Sequence, residues 1–182
     1  MDITNKKHFL TVKDFSVSQE IFELYYDEAL DMLITHPQPS LDVLGKYYES
    51  ADYISHTDSK RSLFEKAYHF VKNIALKNKL NLINSYQPSK GLILDIGSGT
   101  GDFLSVAQND GWKTVGVEPS DKAKAIAKNK GVSFVENTSE LESHTFDVIS
   151  MWHVLEHVPN LDEQIKELKR LLKPCGTLIV AV

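Results

Sequence analysis

The chain has 182 residues, 42% hydrophobic and 25% charged, with a formal net charge of −5. That size suits one globular core with an appendage, and no apolar run approaches the ~20 residues of a membrane-spanning helix. The acidic total argues against a nucleic-acid partner. The single cysteine, Cys175, excludes an intramolecular disulfide, and the first residues lack the apolar stretch of a signal peptide, so a cytoplasmic location is expected.

Residues 8–35 read as strands and turns. His8-Phe-Leu-Thr-Val12 is partly apolar, and Asp14–Ser18 is turn-like. Ile21–Tyr26 and Leu30–Ile34 flank Asp27-Glu28-Ala29 as a β-hairpin, which needs further packing because two strands alone are marginal. Pro37 and Pro39 then break the pattern. A short helix capped by Ser40 leads to Gly45, followed by an aromatic, aperiodic segment holding Tyr47, Tyr48, Tyr53 and His56. Those side chains either line a substrate pocket or lid, or pack their rings on the core; phenols suit both roles. Residues 60–90 carry seven bases and one acid, a pattern more typical of a solvated helix face than of an anion site. A long helix is expected over about 60–84, capped by Asp58 or Ser59, with an apolar stripe through Leu63, Phe64, Ala67, Phe70, Val71 and Ile74 and, less regularly, Leu80 and Ile83.

From residue 91 strands and helices alternate, the mark of a parallel sheet covered on both faces. Strands are expected at 92–96, 112–117, 132–135, 146–151 and 177–182. Helices are expected at about 101–109, after Pro119-Ser120, and from an Asn160/Glu163 capping box to about Lys173. Pro174-Cys175-Gly176 reads as a turn.

The chemistry concentrates where the first of these strands ends, in Asp95-x-Gly97-Ser98-Gly99-x-Gly101. Glycines here let backbone approach a ligand closely. The dinucleotide fingerprint would place a third glycine at position 102, which is Asp102. A carboxylate at Asp95 would repel a pyrophosphate and attract an ammonium. Glu118, 23 residues further on at the end of the next strand, suits the two hydroxyls of a ribose. An ammonium-bearing nucleoside such as S-adenosylmethionine meets both demands.

Residues 92–103, Val117-Glu118-Pro119-Ser120, the run from Phe146 to Pro159 and the run from Leu171 to Val180 resemble successive motifs of the class I S-adenosylmethionine-dependent methyltransferases. The resemblance covers about residues 60–182. It implies that the Gly97–Gly101 loop wraps the methionine end beside Asp95, that Glu118 and Pro119 meet the ribose, that Asn137 and Thr138 sit by adenine, and that Trp152 and His153 flank the cofactor. It implies an α/β fold, a Rossmann-like doubly wound parallel sheet in the order 3-2-1-4-5. Because the chain ends at Val182, inside strand five, the usual sixth and seventh strands are expected to be absent, with strand five left as an edge open to self-association. The expected division is a small N-terminal β module at 1–39, a helical lid or linker region at 40–90 and a cofactor-binding core at 91–182. Related proteins often carry a zinc knuckle before a Pro-x-Pro…Tyr-Tyr…Tyr segment such as Pro37–Tyr53. Without a cysteine before Cys175, no metal is expected there.

The expected function is methyl transfer from S-adenosylmethionine, leaving S-adenosylhomocysteine, to an oxygen, nitrogen or carbon of a small molecule, with no membrane or nucleic-acid partner. Two alternatives are an NAD-dependent oxidoreductase and a non-catalytic binding module. His157 is a candidate general base, since histidine is the side chain most often used to move protons in catalysis. His153, Glu156 and His157 would share one face of a helix and could then hold a divalent metal, but a metal-free Leu-Glu-His segment is the expected reading.

Overall fold

Residues 3–15, 17–40, 43, 47 and 63–182 are described by the computed structural model. The chain divides into two units, residues 1–61 and 62–182. Of the expected short helix after Ser40 only Val43, which is helical, is described; the Gly45 end, the Asp58/Ser59 cap, and Tyr48, Tyr53 and His56 lie outside the described residues.

The first unit holds three antiparallel strands in the order β1 (Lys7–Lys13), β2 (Ile21–Asp27), β3 (Met32–His36). The anticipated hairpin is therefore the β2–β3 pair, and β1 supplies the partner that two strands alone would lack. β3 begins at Met32 rather than Leu30, because the turn is longer than expected. Asp27, 4% exposed, pairs with Lys6 and accepts hydrogen bonds from the Ala29 and Leu30 amides at 2.9 and 3.3 Å, and Asp31 takes φ 49°. Tyr47 stacks edge-on against Phe22, with 6.1 Å between ring centres, and its hydroxyl donates to Glu20.

The second unit is a parallel sheet wrapped by helices. In chain order it holds α1 (Leu63–Tyr86), β4 (Leu92–Ile96), α2 (Asp102–Asn109), β5 (Lys113–Val117), α3 (Asp121–Lys128), β6 (Phe146–Trp152), α4 (Leu161–Leu171) and β7 (Leu172–Ala181). The strand order is β5-β4-β6-β7. Alternation along β4 sends Ile93 into one apolar cluster and Leu94 and Ile96 into another. Ile93, Val148 and Ile179 pack with Leu80 and Ile83 of α1 and Phe103, Leu104 and Ala107 of α2. On the opposite face, Leu94, Ile149 and Met151 pack with Leu168 and Leu171 of α4. Each such fully buried aliphatic side chain contributes about 1.5–3 kcal/mol. Among the described residues no helix is long and apolar enough to cross a membrane.

Several expectations change in detail. The strand expected at 132–135 is reduced to a single parallel bridge, Phe134 to Gly116, with the Gly116 and Val135 amides completing two backbone hydrogen bonds. It still lies outside β5, so the order 3-2-1-4-5 holds with its first member vestigial. The last strand starts at Leu172. Pro174-Cys175-Gly176 forms an irregularity within it, with Cys175 at φ 65°, before pairing with β6 resumes at Thr177. At Asn160 no capping bond forms; its side chain instead donates to Glu163, at 3.3 Å.

The apolar stripe read along α1 divides in two. Leu76, Leu80 and Ile83 enter the core. Phe70, Val71 and Ile74 are exposed. The inward face repeats instead through Lys72, Leu76, Lys79 and Ile83.

Candidate functional site

Asp95 is the last polar side chain before the glycine turn, and it is 2% exposed. It lies beside Ser150 in the β4–β6 register, and the Ser150 hydroxyl donates to its Oδ1 at 2.6 Å. Burial pushes the Asp95 carboxyl up to about 7; the Ser150 hydrogen bond and the Lys79 charge oppose that rise, and Glu118 adds to it. A buried acid of this kind is poised to receive a cation, which would restore its charge.

The turn after β4 is held by β5. The Gly97 and Ser98 amides donate to the Val117 carbonyl at 2.8 and 3.1 Å, and Gly101 donates back to Ser98 at 3.0 Å. Gly97, Gly99 and Gly101 all take positive φ, a region open to glycine at no steric cost. Their surroundings differ. A Cβ on Gly101 would lie 2.7 Å from Ala127 Cβ and 3.0 Å from Val132 Cγ2, so this glycine permits close packing beneath the turn. A Cβ on Gly99 would meet nothing within 4 Å. Ser98 is buried, with its hydroxyl 3.4 Å from the Val117 carbonyl.

Glu118 joins the turn to the end of β5. Its Oε2 accepts from the Gly99 amide at 2.8 Å and its Oε1 from the Ser120 amide at 2.9 Å. Each carboxylate oxygen retains a second lone pair. The Gly99 amide, a donor that a dinucleotide site would direct at phosphate, is engaged by a carboxylate, which disfavours the NAD reading. Exposed Pro119 and the Ser120 cap of α3, which accepts from the Ala123 amide at 3.3 Å, continue the turn.

Asp102 anchors the start of α2. Burial pushes its carboxyl up, but Lys72, Lys130 and Thr100 outweigh that and hold it at about 2. Lys72 and Lys130 lie 2.8 and 2.9 Å away, and the Thr100 hydroxyl donates at 2.7 Å. Here the residue that departs from the dinucleotide pattern clamps α1 and the turn after α3 to the loop.

At the end of β6, Trp152 packs edge-on against Phe103, with 5.9 Å between ring centres, and the Lys79 ammonium lies 4.4 Å from its ring centre. Its buried indole nitrogen has no hydrogen-bond partner among the described residues. His153 follows at φ 57°, exposed, its amide donating to Ala181 at 2.8 Å. Val154 packs against Gly97, where an added Cβ would meet Val154 Cγ2 at 2.3 Å. His157 occurs on a single 3-10 turn, Leu155–His157, and is exposed. The shared helical face imagined for His153, Glu156 and His157 therefore does not form: His153 precedes the turn, with its ring 3.7 Å from Glu156. Among the described residues no cluster of three potential metal ligands occurs.

Asn137 and Thr138 lie on the loop after the Phe134 bridge. The Asn137 side chain accepts from the Ser139 amide at 3.0 Å, and the Thr138 carbonyl accepts from Arg170 at 3.1 Å. The structure thus gathers Asp95, the Gly97–Gly101 turn, Glu118 and Trp152 at the C-terminal ends of the strands, where open α/β sheets bind ligands. Two further members, Ser150 and Lys79, were not anticipated. Ser150 shows in the sequence as a hydroxyl in the otherwise apolar second half of β6. Lys79 shows only through its spacing, seven residues after Lys72 and three after Leu76.

Residues 60–182 match a family model described as a methyltransferase domain. Over 125 residues the chain is 34% identical to a ubiquinone biosynthesis O-methyltransferase of Actinobacillus pleuropneumoniae, covering 59% of this chain and 53% of that protein. It thus spans about half the length of such relatives. A crystal structure from Thermotoga maritima, described as a SAM-dependent methyltransferase and possible histamine N-methyltransferase, is 30% identical with a TM-score of 0.50, covering 64% of this chain and 56% of that one. The fold is shared also with magnesium protoporphyrin IX methyltransferase of Synechocystis, solved with bound SAM, at 18% identity, TM-score 0.55, and coverage of 72% of this chain and 71% of that one. With its motif residues gathered at the switch point of a doubly wound sheet and its family model matched across that unit, the chain belongs to the class I S-adenosylmethionine-dependent methyltransferases.

Proposed function

We propose that this chain forms the donor-binding core of a methyltransferase that uses S-adenosylmethionine to methylate an oxygen of a small molecule. The observation that carries the donor assignment is the pairing of a buried acid, Asp95, with a second carboxylate, Glu118, across an open glycine turn. The open space at Gly99 admits a ligand against the backbone, and the two acids suit an ammonium and a ribose at its two ends. The cofactor, when bound, supplies a methyl group on a positively charged sulfur.

Asp95, fixed by Ser150, would hold the ammonium end. Glu118, already oriented by two amides, would take the ribose hydroxyls with its remaining lone pairs. Trp152, packed on Phe103, would exclude water on the β6 side. Asn137 and Thr138 would border the base. With no covalent step on the protein, its contribution is position and desolvation. His157, exposed on its 3-10 turn, would accept a proton from the acceptor if one must leave.

The choice of oxygen over nitrogen or carbon rests on the relatives named O-methyltransferases, at 30–34% identity. The direct test incubates the whole protein with methyl-labelled S-adenosylmethionine and a panel of small phenols, carboxylic acids and amines. Label in an oxygen-linked methyl group is expected; transfer confined to amines, or to nucleic acid, overturns the acceptor assignment.

A further inference from the structure

Arg170 stands at the end of α4, on the opposite face of the sheet from α1, between Leu168 and Leu171, which are buried against Leu94 and Ile149. All five N–H donors of its guanidinium meet an acceptor. Nε and Nη2 donate to the two oxygens of Glu167, each at 2.7 Å, as a fork. Nη2 also donates to the Thr138 carbonyl at 3.1 Å, and Nη1 to the Leu141 carbonyl at 2.8 Å and the Ser143 hydroxyl at 3.2 Å. The His144 amide closes the seam by donating to the Arg170 carbonyl at 2.8 Å. Arg170 holds the Glu167 carboxyl below its ordinary value; burial opposes that, and a hydrogen bond with the Thr138 side chain adds to it. One side chain of α4 thus grips the 138–143 loop at three points.

The loop has little regular structure of its own. The strand before it is reduced to the bridge from Phe134 to Gly116, two residues short of Glu118. Within the loop runs one 3-10 turn, Thr138–Glu140, too short to be stable alone. Just before that turn, Lys124 of α3, 7% exposed, pairs with Glu136 at 2.9 Å. Ala127 of α3 packs in the cluster around Ile93, and Leu168 of α4 in the cluster around Leu94. A cation from each face of the sheet therefore ties down this stretch of chain. Resting on the donor assignment above, in which Asn137 and Thr138 border the base, we propose that Arg170 is a positioning residue for the base of the cofactor. With Glu167 it sets the shape of the 138–143 loop before ligand arrives, acting through the Thr138 and Leu141 carbonyls. A planar guanidinium fixes angles as well as distances, which a lysine ammonium cannot. A loop ordered in advance spares the ligand the cost of ordering it.

The test joins titration calorimetry to amide hydrogen exchange, on the full chain as wild type, Arg170→Met and Arg170→Lys, with S-adenosylhomocysteine as ligand. Arg170→Met is expected to weaken the ligand about 10-fold, with the loss carried by the entropy of binding, the scale of ordering one or two residues. Arg170→Lys, which keeps the charge without the fork, is expected to recover part of it. In wild type the loop amides are expected to be protected before ligand is added and further slowed by it. In Arg170→Met they are expected to exchange fast until ligand binds, while β4 and β6 stay protected; where that variant unfolds, Arg170→Lys is read by the same criteria. Wild-type affinity in a folded Arg170→Met overturns the inference. So does exposure of β4 and β6 in both variants, the mark of a general loss of structure, and so does a wild-type loop whose exchange ignores bound ligand. Failure of wild type to bind S-adenosylhomocysteine would instead remove the donor assignment beneath it.

Discussion

Replacing Asp95 by Asn keeps the shape of the side chain and removes a charge that is almost out of reach of water. The folded-state value of about 7 lies above the ordinary 3.8, chiefly because of burial. A raised carboxyl adds stability that is complete below the unfolded value and is lost as pH rises through about 7. Above that pH the buried carboxylate carries a penalty on the order of a few kcal/mol. Asp95→Asn is therefore expected to raise the melting temperature most at pH 8 and by less at pH 5, while weakening S-adenosylhomocysteine at least ~10-fold. For the wild type, affinity is expected to rise between pH 6 and pH 8, with proton release on binding near pH 7 detectable in buffers of different ionisation enthalpy. Lys79 and Glu118, the charged groups that influence Asp95, act in opposite directions on this transition. A melting temperature that falls on Asp95→Asn at pH 8 would contradict the reading of a strained, ligand-seeking acid.

The strand–turn–helix from Leu92 to Asn109 separates two roles that one motif assigns to identical residues. Gly101→Ala would drive a methyl group into Ala127 and Val132 at a positive φ. It is expected to cost about 1–3 kcal/mol in overpacking, with any loss of ligand affinity following from that instability. Gly99→Ala meets open space, so its stability cost is confined to backbone strain, about 1 kcal/mol, and its main effect is expected on ligand binding. Chemical denaturation and calorimetry on the two variants read the difference; equal effects on both measures would show that Gly99 does not face the ligand. Much of this element was legible from residues alone. An apolar run, an acid at its end and three alternating glycines dictate where chain must turn and approach a ligand. Glu118 was legible by its distance from Asp95. Lys79 was not, because a lysine in a helix with six other nearby bases looks like part of a solvated face, and only tertiary packing shows which face turns inward. The third strand was over-read for a related reason: Val132–Val135 has strand-like residues, but at the margin of the sheet only Phe134 finds a partner. The metal-like spacing of His153, Glu156 and His157 failed because it presumed an α-helix where the chain makes a single 3-10 turn.

At the scale of the molecule, the sheet gathers polar groups from β4, β5 and β6 at one end and buries apolar residues on both faces. α1 closes one of those faces, and Asp102 ties it to the glycine turn through Lys72. The proposed donor site draws its residues from within 62–182, while the proposed acceptor is read from the relatives alone. The most direct measurement is therefore a calorimetric titration of the chain with S-adenosylhomocysteine and, separately, with NAD. Saturable one-to-one binding of S-adenosylhomocysteine, weakened at least ~10-fold in Asp95→Asn, with no heat from NAD, is expected. Binding of NAD with no response to S-adenosylhomocysteine would contradict the assignment of Asp95, the Gly97–Gly101 turn and Glu118 as a methyl-donor site.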